Sequence, residues 1–158
     1  MGRDTSGAAP SDLVGLLMAF AGGNSSGIGS FSGQQPDVLD TALAIRALAQ
    51  VPSVDPALMA NVVSWLKSVQ SGDGGWGYTA GQPADPYMTA TVVEALGFVK
   101  SSYDVAASLD AGLSWLSSHM QSDGSLVASP VATACAIRAY ARAGRPLPSW
   151  PPRRWITW

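Results

Sequence analysis

The fold is decided by the stretch Trp65-Leu66-Lys67-Ser68-Val69-Gln70-Ser71-Gly72-Asp73-Gly74-Gly75-Trp76-Gly77-Tyr78. An apolar segment with helical spacing stops there at a Gly-rich turn, and a tryptophan-bearing loop follows. Weaker versions of the same passage occur upstream and downstream. The chain is therefore built on an internal repeat, and such repeats are typical of one supersecondary unit used several times.

Apolar spacing predicts six helices before residue 144. They cover residues 13–21, 38–50, 56–70, 86–100, 105–120 and 130–143. Asp55 before Pro56 and Asp85 before Pro86 are predicted N-caps. Residues 1–10 are predicted to be a disordered N-terminus, and residues 145–158 an irregular tail rich in Pro and Trp.

Self-comparison places these helices in register. Residues 40–48 align with residues 88–96 at an offset of 48, and residues 132–140 follow after a further 44. Two helices per unit of this length predict an all-α fold in which residues 11–144 form three α-hairpin repeats. We expect the Ala- and Thr-rich helices to form an inner layer and the Trp- and Leu-bearing helices an outer one. The hairpins would either close into a ring or leave open edges.

Composition excludes several classes of protein. The chain has 158 residues, a net charge of −2 and only 13% charged residues. Without a basic run it is not expected to bind nucleic acid, and without a long apolar run it is not expected to span a membrane. Its start has no signal-peptide pattern, so we expect a soluble chain of unknown compartment. So few charges predict apolar surface that faces a partner, a ligand or further chain.

No metal site or cofactor is predicted. A structural zinc site usually needs four Cys or His ligands, and the chain has only Cys135 and His119. Cys135 is expected to be a small buried residue, and His119 a capping or surface residue near a helix end.

The set Gln70, Gly74 and Trp76, preceded by Trp65, resembles the QW motif of squalene and oxidosqualene cyclases. Protein prenyltransferase beta subunits, complement thioester domains, cobalamin carriers and bacterial prenyltransferase/squalene-oxidase repeat proteins share the same ring of hairpins. The resemblance covers residues 12–143, with only the central motif complete. Because those rings contain six hairpins, it implies about half of an (α/α)6-type toroid. Further repeats, a second copy or another protein would complete it.

The resemblance implies a structural role for this motif. Gln70 would hydrogen-bond backbone groups left open at helix ends. Gly74 would permit the turn, and Trp76 would stack across it to tie neighbouring hairpins together. In the third repeat Met120 replaces the glutamine, and Ser125-Leu126 replace Gly75-Trp76.

The stretch Pro36-Asp37-Val38-Leu39-Asp40-Thr41-Ala42 resembles the Asp-x-Asp-Asp-Thr-Ala motif of class II terpene cyclases. In that family the middle Asp protonates an alkene or epoxide, which requires a strong acid shielded from water. Leu39 stands at the donor position, so Asp37 and Asp40 match only the flanking positions. They are catalytic candidates by resemblance, and the alternative is that they cap the inner helix.

Three functions remain open. The first is a non-catalytic repeat module that binds a partner or an apolar small molecule. The second is a fragment or half of a class II terpene cyclase acting on isoprenoids, in which aromatic faces would stabilise carbocations. The third is a small-molecule binder with an apolar pocket, resembling the cobalamin carriers. The candidate ligand contacts are Trp76, Tyr78, Asp85 and Tyr87. The zinc pattern of prenyltransferases and the Cys-Gly-Glu-Gln stretch of thioester domains are absent.

Overall fold

The computed structural model describes residues 15, 17, 27–29, 35–52 and 54–148. Five long helices lie within these residues: α1 (Val38–Leu48), α2 (Pro56–Ser68), α3 (Pro86–Val99), α4 (Ala106–Ser118) and α5 (Pro130–Ala143). The predicted all-α repeat fold is confirmed. The expectations for residues 1–10 and 149–158, and for the helix over 13–21 apart from Gly15 and Leu17, lie outside the described residues.

The structure corrects the predicted ends of three helices. α1, α2 and α4 each end two residues before the predicted position. After α2 the backbone tightens, and the N–H of Gln70 donates to the carbonyl of Lys67 at 3.3 Å. Such tighter bonds satisfy carbonyls at a helix end, so Gln70 lies just beyond α2 rather than inside it.

The inner and outer layers are arranged as predicted. α1, α3 and α5 form the inner layer, in which α3 packs against both of the others. α2 packs on α1, and α4 packs on α3 and α5. Small and β-branched side chains line α3, and nearly all of its residues are buried. The core is therefore centred on α3.

Residues placed before the helices fix their starts. Asp37, Asp55 and Asp85 each accept backbone N–H bonds in the first turn, which confirms them as N-caps. Ser129 caps α5 in the same way. Proline follows three of these four caps, where its missing N–H costs nothing.

One threonine in each inner helix holds the preceding loop. The Oγ1 atoms of these threonines accept a backbone N–H at 2.9, 3.0 and 2.9 Å, in the pairs Ile28–Thr41, Trp76–Thr89 and Leu126–Thr133. The three threonines occupy one position of the repeat. They fix each loop to the start of its inner helix.

Candidate functional site

The aspartates of the cyclase-like stretch lie at the start of α1. Oδ1 of Asp37 accepts the N–H groups of Leu39 at 2.8 Å and Asp40 at 3.2 Å. The N–H of Asp37 itself donates to the carbonyl of Ile28 at 2.9 Å. This carboxylate therefore acts as a helix cap, as the capping interpretation predicts for Asp37.

An open cavity of about 320 Å³ lies beside α1. It is lined by one acidic residue among otherwise uncharged ones, namely Leu17, Ile28, Gly29, Asp40, Leu43, Ala44 and Ala47. We refer to it as the α1 cavity. Its size is at the low end of small-molecule sites, and its lining suits an apolar group.

The candidate ligand contacts do not form a single site. Trp76 is fully buried, and its Nε1–H donates to the carbonyl of Leu66 at 2.7 Å. Tyr78 is 56% exposed, and Tyr87 is only partly buried, against the core. Asp85 caps α3 by accepting the N–H of Met88 at 3.0 Å. The indole of Trp76 thus faces protein, whereas the Tyr78 ring faces solvent.

The QW-like residues connect the two outer helices. Nε2 of Gln70 donates to the carbonyls of Gly74 at 2.8 Å and Ser108 at 3.1 Å, and Ser108 belongs to α4. Trp76 bonds to α2 and closely approaches Gly112 of α4, where an added Cβ would be 2.8 Å from its ring. The turn that begins at Gln70 therefore joins α2 to α4.

A tryptophan of each outer helix packs against a glycine in the loop before its inner helix. A Cβ added to Gly27 would lie 2.6 Å from the Trp65 ring, and one added to Gly75 would lie 3.0 Å from the Trp115 ring. Contacts this short leave no room for a side chain. Trp65, identified from the motif, is thus one of a matched pair.

A charged cluster on the inner helices was not identified from the sequence. Glu94 of α3 has only 6% of its side chain exposed and accepts from Arg138 of α5, with Nε at 3.1 Å and Nη2 at 3.0 Å from Oε2. Nη2 of Arg46 in α1 lies 3.6 Å from Oε1. The hydrogen bond to Glu94 raises the pKa of Arg138. Two guanidinium groups therefore flank one buried carboxylate.

The repeat register held the signal for this cluster. Arg46, Glu94 and Arg138 occupy one column of the self-comparison, so they must lie at one level of three neighbouring helices. Opposite charges in adjacent helices at one level predict ion pairs. The inner layer was predicted from the small and apolar residues that surround these three charged positions in the aligned segments.

One side of α5 is exposed, and Arg138 on this side reaches Glu94 of α3. This side carries Val131, Ala134, Ile137, Arg138 and Ala141, all of them exposed. Val131 is 63% exposed and Ile137 39%, which is unusual for large apolar side chains on one helix. We refer to these five residues as the α5 edge face.

Among the described residues, no group of three potential ligands could hold a metal ion. Cys135 is buried, as expected. His119 caps the end of α4, where its ring stacks on Trp115 with centroids 3.7 Å apart. None of the helices in the described part of the chain has the length and apolar character needed to cross a bilayer.

Comparison with known proteins gives one partial similarity. No model of a protein family matches the chain. Over 64 residues it is 44% identical to Alpha-2-macroglobulin of Thermotoga maritima, a match that covers 39% of the chain and 4% of that protein. Alpha-2-macroglobulin has α/α-toroid-like repeats, so the similarity agrees with the helical repeat. It gives no support specific to squalene cyclases.

Proposed function

We propose that this chain is a non-catalytic repeat module, similar in fold to prenyltransferases and terpene cyclases, that binds a partner protein or an apolar small molecule. The observation that carries the proposal is the exposure of large apolar side chains on the inner helices. Leu43 is 44% exposed on α1, and Val131 and Ile137 are exposed on α5. Val93, which matches Ile137 in the repeat, is fully buried in α3. Apolar surface of this kind is typical of binding sites.

The start of α1 supports a module without cyclase chemistry. Protonating an alkene needs a neutral acid held away from competing hydrogen bonds to its charged form. Asp37 instead accepts two backbone N–H groups as the N-cap of α1. Leu39 has no proton to give.

The Thermotoga similarity supports the repeat part of this proposal. The match covers 4% of a long protein that contains toroid-like repeats. The activity and partners of that larger protein are not transferred by this match.

The first experiment tests for chemistry. The chain is incubated with squalene and with oxidosqualene, and products are analysed by gas chromatography and mass spectrometry. We expect no cyclised product. Turnover by the natural chain that disappears in Asp40→Asn would contradict the proposal and favour half of a class II terpene cyclase.

Leu39→Asp is the matched variant for this experiment, because it restores an Asp-x-Asp-Asp-Thr-Ala sequence over residues 37–42. Product from this variant alone would show that the scaffold accepts an isoprenoid while the natural chain lacks the acid. Product from neither protein agrees with a binding role.

The second experiment separates the two kinds of ligand. An environment-sensitive apolar dye is titrated into the chain and into Leu43→Asp, which places a charge at the α1 cavity. A loss of dye binding in Leu43→Asp, but not in Ile137→Asp, favours a small apolar ligand at that cavity. The reverse pattern favours binding at the α5 edge face.

A further inference from the structure

We propose that the α5 edge face binds a helix of a different protein, one that places a carboxylate against Arg138. This inference rests on the proposed function as a binding module and specifies its partner. It follows from the register of the inner helices and from the order of their charges.

In the repeat alignment, exposed residues of α5 match residues of α3 that pack against another inner helix. On α3, Glu94 bonds to Arg138, and a Cβ added to Gly97 would lie 2.6 Å from the Arg142 side chain. The residues 44 positions later are Arg138 and Ala141, and both are exposed. The α5 edge face is therefore equivalent to the face of α3 that an inner helix covers.

Its small side chains suit a helix. Ala134 lies about one turn before Ile137 and Arg138, and Ala141 lies about one turn after them, so a partner backbone can approach closely. Val131 and Ile137 supply apolar area, with 63% and 39% of each residue still exposed. This combination resembles the grooves that bind one face of a helix.

The charged side chains at this level alternate in sign from one inner helix to the next. Arg46 lies on α1, Glu94 on α3 and Arg138 on α5, and each arginine contacts the central carboxylate. Arg138 uses Nε and Nη2 for Glu94, while 52% of its side chain stays exposed. A guanidinium has five N–H donors, so one side of this group can still bind a carboxylate. The charge order therefore calls for an acidic residue on the next helix.

The same order disfavours a second copy of this chain. A copy that stacked its α1 on the α5 edge face would bring Arg46 towards Arg138, and a copy that used its own α5 would bring Arg138. Like charges placed together at an interface oppose association. Glu94, the acidic member of the column, is covered within each copy. A second copy is accordingly disfavoured, and the proposed partner is a helix of a different protein.

The test uses the full chain and a fluorescent helical peptide that copies residues 86–99, with a side-chain staple on its outer face. Two matched peptides carry Gln or Arg in place of the copied Glu94. Fluorescence anisotropy measures the Kd of each. We expect the Glu peptide to bind about tenfold more tightly than the Gln peptide, a difference of about 1.4 kcal/mol, and the Arg peptide to bind weakest.

Two variants of the chain locate the binding. Ala141→Trp fills the groove and should weaken the Glu peptide at least tenfold. Arg138→Glu should reverse the order of the Glu and Arg peptides. Arg138→Glu places a second carboxylate beside Glu94, so the folding of this variant is checked by circular dichroism. If Arg138→Glu unfolds, the result with Ala141→Trp decides the test.

Equal affinity for the three peptides, or unchanged binding in Ala141→Trp, overturns the proposal. The proposal is also overturned if sedimentation shows that the natural chain forms a dimer and that Ala141→Trp abolishes this dimer. The occupant of the α5 edge face would then be a second copy. Failure here is distinguishable from failure of the proposed function. The peptides report only on the α5 edge face, whereas squalene turnover reports on chemistry.

Discussion

Residues 70–76 and residues 120–126 form two versions of one joint between an outer and an inner helix. In the first, the N–H of Ser71 donates to the Gly75 carbonyl at 2.9 Å. In the second, the N–H of Gln121 donates to the Ser125 carbonyl at 2.8 Å. Gly74 and Gly124 have φ values of 97° and 83°. The two turns therefore share one backbone conformation.

Their side chains differ where the joint meets other helices. Gln70 of the first joint reaches α4, and Met120 replaces it in the second. Trp76 bonds to α2 and packs on α4, and Leu126 takes its place. Within the described residues, no outer helix follows α4. The Gln and Trp of this motif therefore serve contacts between outer helices, whereas the turn forms without them.

The largest expected effect comes from removing the buried aromatic ring of the first joint. Trp76→Ala should lower the free energy of unfolding by about 4 kcal/mol, since it leaves a cavity and an unpaired Leu66 carbonyl. Leu126→Ala should cost about 3 kcal/mol. Urea denaturation followed by circular dichroism gives both values. A smaller loss for Trp76→Ala than for Leu126→Ala would contradict the distinction between the joints.

The glycines of the two joints should also differ. Both have left-handed backbone, but a Cβ on Gly74 would lie 2.8 Å from the carbonyl oxygen of Ala111 in α4. Gly74→Ala should therefore cost about 3 kcal/mol and Gly124→Ala about 1 kcal/mol. Thermal unfolding of the two variants measures the difference. Equal costs would show that α4 shifts enough to accommodate a methyl group at Gly74.

Each threonine that accepts a loop N–H should stabilise the fold more when that N–H group is more deeply buried. Thr89→Val leaves the buried N–H of Trp76 unpaired and should cost about 2 kcal/mol. Thr133→Val, beside the second joint and only partly buried, should cost about half as much. Thr91→Val is the control, because its hydroxyl only donates within α3, to the Tyr87 carbonyl at 2.8 Å. Chemical denaturation should find this control the mildest of the three.

Exchanging the glutamine and the methionine tests the comparison directly. Gln70→Met removes the bonds to Gly74 and Ser108 and should cost about 1 kcal/mol. Met120→Gln should change stability by less than about 0.5 kcal/mol, since no further outer helix is described beside it. A clear gain from Met120→Gln would show that the second joint has a partner carbonyl within reach.

The smallest effect is a dependence on pH in the first joint. The Ser71 hydroxyl, the Trp115 indole N–H and the Gly75 N–H donate to Asp73 and lower its pKa. Its contribution to stability is complete above the ordinary aspartate pKa and is lost as the pH falls through the lowered value. Asp73→Asn should flatten the stability profile between about pH 5 and pH 2, and Trp115→Phe should do so in part. Profiles of unchanged slope would exclude this contribution.

The predictable part of the structure depended on local chemistry and on the repeat. Asp55 and Asp85 beside proline identified helix starts, and the Ala- and Thr-rich segments identified the inner layer. The pairing of Arg46 and Arg138 with Glu94 was not foreseen, although offsets of 48 and 44 align the three residues, because the prediction used only the small and apolar residues of the aligned segments. Val127 and Ala128, with φ values of 46° and 53°, were also not foreseen, since neither residue type predicts left-handed backbone.

The central position of α3 has a consequence for how the protein opens. Its neighbours α1, α4 and α5 all lie against it, and almost every residue along it is buried. In a repeat fold, the helices at the ends can detach while the middle stays formed. The amide protons of α3 are therefore the ones whose exchange with deuterium requires the whole domain to unfold. Their exchange rates report its global stability, whereas those of α5 report only the release of one edge.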